Sequence, residues 1–366
     1  MSEFLPNGIS GSGDFRAKCV FAGYGINNPG INYNDFESIE IEDKVVLVMD
    51  GVPPIENVDW DGRNSTNQKA GYCLNNGAKG IIILRNPIGV VRPFSFKSFP
   101  IINANSKVFN NLLSGTGWDV KAIKDKISET SRPLSFDLRS EVYLNVKTEF
   151  KKQSPAMNVV GYLEGSDPEL KNEVVVVGAH LDHIGKWGDL IFHGANDNGS
   201  GSSIVIEIAE AFATAKYKSR RSLLFILFTG EEMGLIGAFH YVANPLFPLE
   251  KTVAMVNMDV IGSGYDGIMV VGGQKFKNFQ NLFKFYNSWF IHDTIKDRPM
   301  SRNSDHWPFA SQNIPAVFLY YMGGRSPYHH PGDIPLRLNP DAMESAGRLV
   351  FFVVNDIANR KEINLK

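Results

Sequence analysis

Three apolar runs in this chain each end on a side chain that can bind a metal, and this repetition constrains the fold more than any other feature. The run 174–177 leads into His180, 223–228 into Glu231 and Glu232, and 253–258 into Asp259. Short, continuous apolar runs fit strands buried on both faces of a parallel sheet. Open α/β sheets bind ligands beyond the carboxyl ends of their strands, so the pattern predicts that these side chains gather in one crevice.

A chain of 366 residues admits about two domains and can bury a sizeable core. Apolar residues at 43% and charged residues at 21% exclude a disordered chain. The formal charge of −2 gives no electrostatic case for nucleic acid or for an anionic membrane surface. Apolar stretches are strand-length and interrupted, so none is expected to span a bilayer. The opening residues, Met1-Ser2-Glu3-Phe4-Leu5-Pro6-Asn7-Gly8, lack the basic region and apolar core of a signal peptide. Cys19 and Cys73 sit in apolar or small-residue segments and read as two buried thiols, with a disulfide as the alternative, since one pair forms no disulfide framework in a chain of this size.

The organisation changes along the chain. Up to about residue 140, β-branched and apolar runs at 18–25, 44–49 and 78–84 are separated by Pro, Gly, Asn and Asp clusters, which predicts a β-rich unit. A helix is expected over 66–75, closed by Asn76 and Gly77. No histidine falls in this segment, so catalysis is not expected from it. Beyond it, strands near 141–149, 157–164, 173–179, 222–228, 252–260, 267–272 and 315–320 alternate with helices near 199–216, 233–243, 276–289 and 341–359. Such alternation predicts an α/β fold, a mixed, mainly parallel sheet with helices on both faces. The expected domains are 15–138 and 139–366.

The chemistry lies in the second domain. His180-Leu181-Asp182 puts two side chains on one side of a strand end, where the Asp can hold the imidazole while its other nitrogen binds metal. Alone, that pair fits a structural histidine equally well. Gly194-Ala195-Asn196-Asp197-Asn198-Gly199-Ser200-Gly201 is a polar loop before a helix; Asp197 can bridge two cations or cap the helix. Asn198-Gly199-Ser200 also matches a glycosylation sequon, which a loop lining a metal site would make accidental. Thr229-Gly230-Glu231-Glu232 thrusts adjacent acids, which repel unless neutralised, into the crevice. Asn257-Met258-Asp259 ends a buried strand, where an unpartnered acid is costly.

Two more clusters follow, Ser304-Asp305-His306 and Tyr328-His329-His330-Pro331-Gly332-Asp333. The latter can supply a ligand, the group behind it and a nearby phenol. Taken together, these nitrogen and oxygen donors suit zinc, with two ions sharing a carboxylate. Gly262-Ser263-Gly264-Tyr265-Asp266-Gly267 spells a dinucleotide fingerprint, but the strand-like residues 268–271 follow it where a helix is required.

The ordered motifs Gly178-Ala179-His180-Leu181-Asp182, 194–201, Phe228-Thr229-Gly230-Glu231-Glu232-Met233-Gly234, Asn257-Met258-Asp259, Ser304-Asp305-His306 and Tyr328-His329 resemble those of the co-catalytic di-zinc aminopeptidases of the bacterial leucyl aminopeptidase type. The first segment resembles the protease-associated domain often inserted in that family, at Val20-Phe21-Ala22-Gly23-Tyr24-Gly25 and Gly77-Ala78-Lys79-Gly80. The resemblance implies two zinc ions: His180 and Asp259 would ligate one, Glu232 and His329 the other, and Asp197 would bridge them. It gives Glu231 the role of general base, has Asp182 orient His180, and has Tyr328 hydrogen-bond the developing oxyanion. His329 is preferred to His330 as the ligand.

The family also implies a helical segment ahead of the inserted domain, and only about 15 residues precede it here, which fits a truncated or processed form. By the same resemblance, a periplasmic or extracellular location is expected. The expected activity is an aminopeptidase acting on peptides with a free N-terminus. A glutaminyl cyclase, a glutamate-carboxypeptidase-like enzyme and a receptor-like homologue without catalysis stand as alternatives. Arg302 and Arg325 are the basic residues near enough in sequence to suit a carboxypeptidase.

Overall fold

The computed structural model describes residues 3–366 apart from 56–57, 59, 61–64, 86–94, 97, 152, 188 and 325. It forms two compact units, Met1–Ser154 and Pro155–Lys366.

In the first unit the strands are β1 (Phe4–Pro6), β2 (Gly13–Ala22), β3 (Asn27–Asn28), β4 (Tyr33–Asn34), β5 (Val45–Met49), β6 (Gly80–Leu84), β7 (Ile101–Ala104) and β8 (Ser135–Val146), with helices α1 (Thr66–Asn75), α2 (Ser106–Leu112) and α3 (Val120–Thr130). Six strands form one sheet in the order β1-β7-β6-β5-β2-β8. Every residue of β5 is buried, as expected of a central strand covered on both faces. Helix α1 spans its expected residues: the Ser65 side chain accepts from the Gln68 N–H at 3.3 Å, and Gly77 takes the left-handed conformation just past its end.

The domain boundary differs from the expectation. The strand expected at 141–149 is the second half of β8, which pairs antiparallel with β2 from Gly13↔Val146 to Ala22↔Ser135. A cut between 138 and 139 would divide that strand, and β1 adds residues before 15 to the same sheet. Alternating exposure along β8 marks a half-covered edge strand, a weak sequence signal beside the solid apolar runs around it.

Asp35 organises the turn after β2. One carboxylate oxygen accepts the Tyr24 and Ile26 N–H groups at 3.0 Å each, and the other accepts the Tyr33 hydroxyl at 3.1 Å. Burial pushes its pKa up to about 7, against the pull of those hydrogen bonds. A folded-state pKa above the unfolded value gives stability that is present in acid and lost as pH rises through about 7. Asp35→Ala should cost about 2–3 kcal/mol by orphaning buried donors, read as a lower urea midpoint for this unit, and Asp35→Asn should flatten its stability gain between pH 7 and 4.

The second unit contains β9 (Val159–Leu163), β10 (Val174–His180), β11 (Gly185–Trp187), β12 (Leu190–Phe192), β13 (Ser222–Phe228), β14 (Thr252–Met258), β15 (Ile268–Val271), β16 (Ile295–Arg298) and β17 (Ala316–Tyr321). Its helices are α4 (Ser200–Thr214), α5 (Ile236–Ala243), α6 (Lys277–Tyr286), α7 (His306–Ser311) and α8 (Pro340–Asn359). The main sheet runs β16-β15-β17-β14-β10-β13-β9. Strands β17, β14, β10 and β13 are mutually parallel, β9 runs against β13, β15 runs against β17, and β16 is parallel to β15. This is the expected mixed, mainly parallel sheet.

Both faces are covered. Phe225 meets Phe212 of α4, which meets Phe351 of α8, while Phe228 meets Phe309 of α7, which stacks on Tyr241 of α5. Positions 225 and 228 differ by an odd number, so they point to opposite faces. The apolar stripe of α8, including Ala346, Val350, Val353, Val354 and Ile357, is buried as its spacing predicts. Cys19 and Cys73 are free and buried. Among the described residues no helix is long and apolar enough to cross a membrane.

Candidate metal centre

Four adjacent parallel strands deliver the candidate residues at their carboxyl ends. His180 is the last residue of β10, paired with Phe228 at the end of β13. The chain then turns at Gly230, whose φ of 68° is left-handed, and presents Glu231 and Glu232. Asp259 directly follows β14, and the loop after β17 carries Tyr328 and His329. Asp197 comes from the loop before α4.

Two groups of donors result: His180, Glu231 and Asp259, and beside them His183, Asp197, Glu232 and His329, with ligand atoms within 4.8 Å of one another in each. Asp197 faces both. Its Oδ1 lies 3.3 Å from His180 Nε2 and its Oδ2 lies 3.2 Å from His329 Nε2. His180 Nε2 is 3.2 Å from Asp259 Oδ1, and His329 Nε2 is 3.1 Å from Glu232 Oε2.

Asp197 Oδ2, Glu232 Oε1, His183 Nδ1 and His329 Nε2 are buried without a hydrogen-bonded partner. Buried polar atoms are nearly always satisfied. Orphaned nitrogens and carboxylate oxygens facing one gap are what a cation site requires, so His183, Asp197, Glu232 and His329 fit one divalent ion; His180, Glu231 and Asp259 offer a place for a second, and the donor chemistry suits zinc.

The titrating groups agree. Burial pushes the Glu231 carboxyl up to about 9, opposed by His180 and reinforced by Asp259, Asp305 and Glu232. Burial would lower the His329 imidazole, but the adjacent carboxylates of Asp197 and Glu232 carry it up to about 9. Asp197 is held well below the usual carboxylate range: burial alone would raise it, and His180 and His329 outweigh that. Without cations, protons and ion pairs neutralise this crowd.

Supporting residues hold the donors in place. Asp333, fully buried, accepts the Asn196 and Asp197 N–H groups on Oδ2 at 3.1 and 3.0 Å and the Ser326 hydroxyl on Oδ1 at 2.5 Å. It thereby ties the Asp197 loop to the His329 loop. Ser304 donates its hydroxyl to Asp259 Oδ2 at 2.8 Å and accepts from Asn257 at 2.8 Å. Asp305 is fully buried, and burial first, then Asp259 and Asp182, push it up to about 8 against His180. His306 begins α7 and lies outside both donor groups.

Asp182 behaves differently from the expectation. The His180 Nδ1 partner is the Asp182 backbone carbonyl at 2.9 Å. Its carboxylate stands 3.9 Å from that nitrogen and instead accepts the Glu231 and Glu232 N–H groups at 3.1 and 3.3 Å. A backbone carbonyl can fix the tautomer as well as a carboxylate does. His330 Nδ1 accepts the Gly332 N–H at 2.9 Å and takes no part in either donor group. Exposed Tyr328 stacks its ring on His329 at 3.8 Å between centroids. Asn198 is buried and donates to the Met258 carbonyl at 2.9 Å, so the sequon is not available for glycosylation. Arg302 lays its guanidinium over Trp307, and Arg325 lies outside the described residues.

His183 was not anticipated. Its signal was present, since it follows Asp182 directly, but the alternation that aligned His180 with Asp182 stops where the strand ends.

A hydrolase-type two-cation centre on an α/β sheet is the class that fold and site define. The chain belongs to Peptidase family M28, whose profile matches residues 158–354. Leupeptin-inactivating enzyme 1 of Streptomyces exfoliatus is 34% identical over 164 residues, 44% of this chain and 35% of that protein. Aminopeptidase YwaD of Bacillus subtilis is 24% identical over 346 residues, 92% of this chain and 67% of that protein. The fold is that of BSAP, a zinc aminopeptidase from Bacillus subtilis, with a TM-score of 0.72 at 21% identity, covering 99% of this chain and 80% of that one. The chain spans between 35% and 48% of the length of the first curated relatives it matches.

Two outcomes follow from this geometry. Cation uptake at pH 7 must displace protons from Glu231 and His329, so titration calorimetry in buffers of different ionisation heats should show proton release and an affinity that rises with pH toward about 9. Asp333→Ala should loosen the Asp197 loop and cost on the order of 10–100-fold in cation affinity, measured by chelator competition.

Proposed function

We propose that the chain is a zinc-dependent aminopeptidase that removes the N-terminal residue of peptides. The observation that carries this reading is the pairing of two donor groups across Asp197, one of them containing Glu231. In this reading His180 and Asp259 hold one ion, Glu232 and His329 the other, and Asp197 both. Two zinc ions in this set would supply the acidity that makes a bound water nucleophilic and would polarise the scissile carbonyl.

The chain's own groups do the rest. Glu231 would act in its ionised form, which the charge of bound cations favours: it would accept the proton of the attacking water and return it to the leaving amine. Asp182 holds the two glutamates by their backbone N–H groups and so fixes where Glu231 stands. Tyr328 is exposed beside His329 and offers its hydroxyl to the developing oxyanion. No covalent intermediate is required.

The excess of carboxylates attracts a protonated α-amino group. Beside Asp197 opens a cavity of about 430 Å³, lined in part by Val260, Tyr320, Met322 and Tyr328. Apolar and phenolic walls suit an uncharged or apolar first side chain. A larger cavity, of about 950 Å³, lies at the opposite ends of the strands, beside Glu173 and Thr252. It has no place in the chemistry.

The first unit reads as a protease-associated domain. It contains no histidine and contributes no donor to the described metal groups.

Aminoacyl-anilide substrates test the reading. A leucyl anilide should be hydrolysed, a chelator should stop it, and N-acetylation of a good peptide should abolish cleavage, whereas efficient release of C-terminal residues from the acetylated peptide would favour a carboxypeptidase. Glu231→Gln should keep both ions and lose on the order of 10²-fold or more in turnover, and Glu232→Gln should lose cation affinity instead.

A further inference from the structure

The proposed ligand set leaves out one buried imidazole that faces it. The His183 side chain is 7% exposed, with Nδ1 2.7 Å from Glu232 Oε1 and 4.0 Å from Asp197 Oδ2. Its ring centroid stands 5.6 Å from that of His329. Close as His183 and Glu232 are, neither of those atoms forms a hydrogen bond of acceptable geometry with any partner. An imidazole and a carboxylate turned toward a common third atom fit this arrangement.

The spacing fits that third atom. Four donors ~2.0–2.1 Å from one zinc at tetrahedral angles lie ~3.3 Å apart. His183 Nδ1 is 2.7 Å from Glu232 Oε1, His329 Nε2 is 3.1 Å from Glu232 Oε2, and Asp197 Oδ2 is 3.2 Å from His329 Nε2 and 4.0 Å from His183 Nδ1; one ligand atom from each of the four lies within 4.8 Å of the others. The neighbouring backbone leaves room for the ring: a Cβ on Gly194 would come within 2.6 Å of His183 Cγ and 2.8 Å of its Cβ. Gly194 also has a φ of 62°, which side-chain-bearing residues rarely adopt.

We propose that His183 is a fourth ligand of the cation held by Asp197, Glu232 and His329, so that the two metal positions are unequal. That position then has a closed set of two nitrogens and two oxygens, the coordination of a tightly held ion. The other, with His180, Asp259 and the shared Asp197, keeps an open place beside Glu231 where water and the substrate carbonyl exchange. The inference rests on the metallopeptidase reading and adds a division of labour to it.

The test uses the full chain stripped of metal and titrated with zinc against a fluorescent chelator. Wild type should bind two ions in separate steps, one much tighter than the other. His183→Ala should weaken the tight step by more than the 10–100-fold typical of residues behind the ligands, leave the weaker step in place, and change the visible spectrum of the cobalt-loaded protein. His183→Asp, which restores a donor atom, should recover much of the tight step. Thermal melts of the metal-free proteins should coincide, which separates ligand loss from misfolding. An unchanged tight step together with an unchanged cobalt spectrum in His183→Ala would show that His183 only packs against Glu232. Failure of wild type to bind any divalent ion would overturn the metallopeptidase reading itself and this inference with it.

Discussion

Repulsion among crowded carboxylates is the constraint on which the catalytic unit turns. Asp182, Asp197, Glu231, Glu232, Asp259 and Asp305 converge at the carboxyl ends of neighbouring strands, largely out of water. Like charges at such distances cannot all ionise without counter-charge. Burial drives Glu231 and Asp305 up; against burial, neighbouring imidazoles hold Asp197 down, and the carboxylates around His180 and His329 push both imidazoles up. Divalent cations held by these residues would resolve the conflict, replacing protons, satisfying the orphaned atoms and letting the acids ionise together.

Such a site needs a rigid frame. The frame comes from strands that are apolar on both faces, β10, β13 and β14, whose burial against helices on each side fixes the level at which they end. Left-handed turns at Gly194 and Gly230 then redirect the backbone so that acids face inward. Asp182, Ser304 and Asp333 lock the donors from behind, each through hydrogen bonds to a backbone or side chain of a different strand-end loop. Holding donors in advance lowers the ordering cost of metal binding and keeps Glu231 in place for the role proposed for it.

Much of this was legible in the sequence because the signals were strong and local. The solid apolar runs before His180, Glu231 and Asp259 announce buried parallel strands, and the polar Gly-rich loop announces Asp197. Three features were not legible, each for a physical reason. β8 alternates rather than running apolar, since one of its faces is less covered, so its second half was assigned to the wrong unit. The Asp182 carboxylate turns away from His180 because two backbone N–H groups compete for it. His183 lies past the strand end, where periodicity no longer says which way a side chain points; only the space left by Gly194 shows that its ring turns inward.

The central claim is a pair of cations joined by Asp197. Anomalous diffraction at the zinc absorption edge, from crystals of the zinc-loaded chain, tests it most directly. The account predicts two peaks about 3.5–4 Å apart, both within bonding distance of the Asp197 carboxylate. A single peak, or two peaks of which only one touches Asp197, would contradict it.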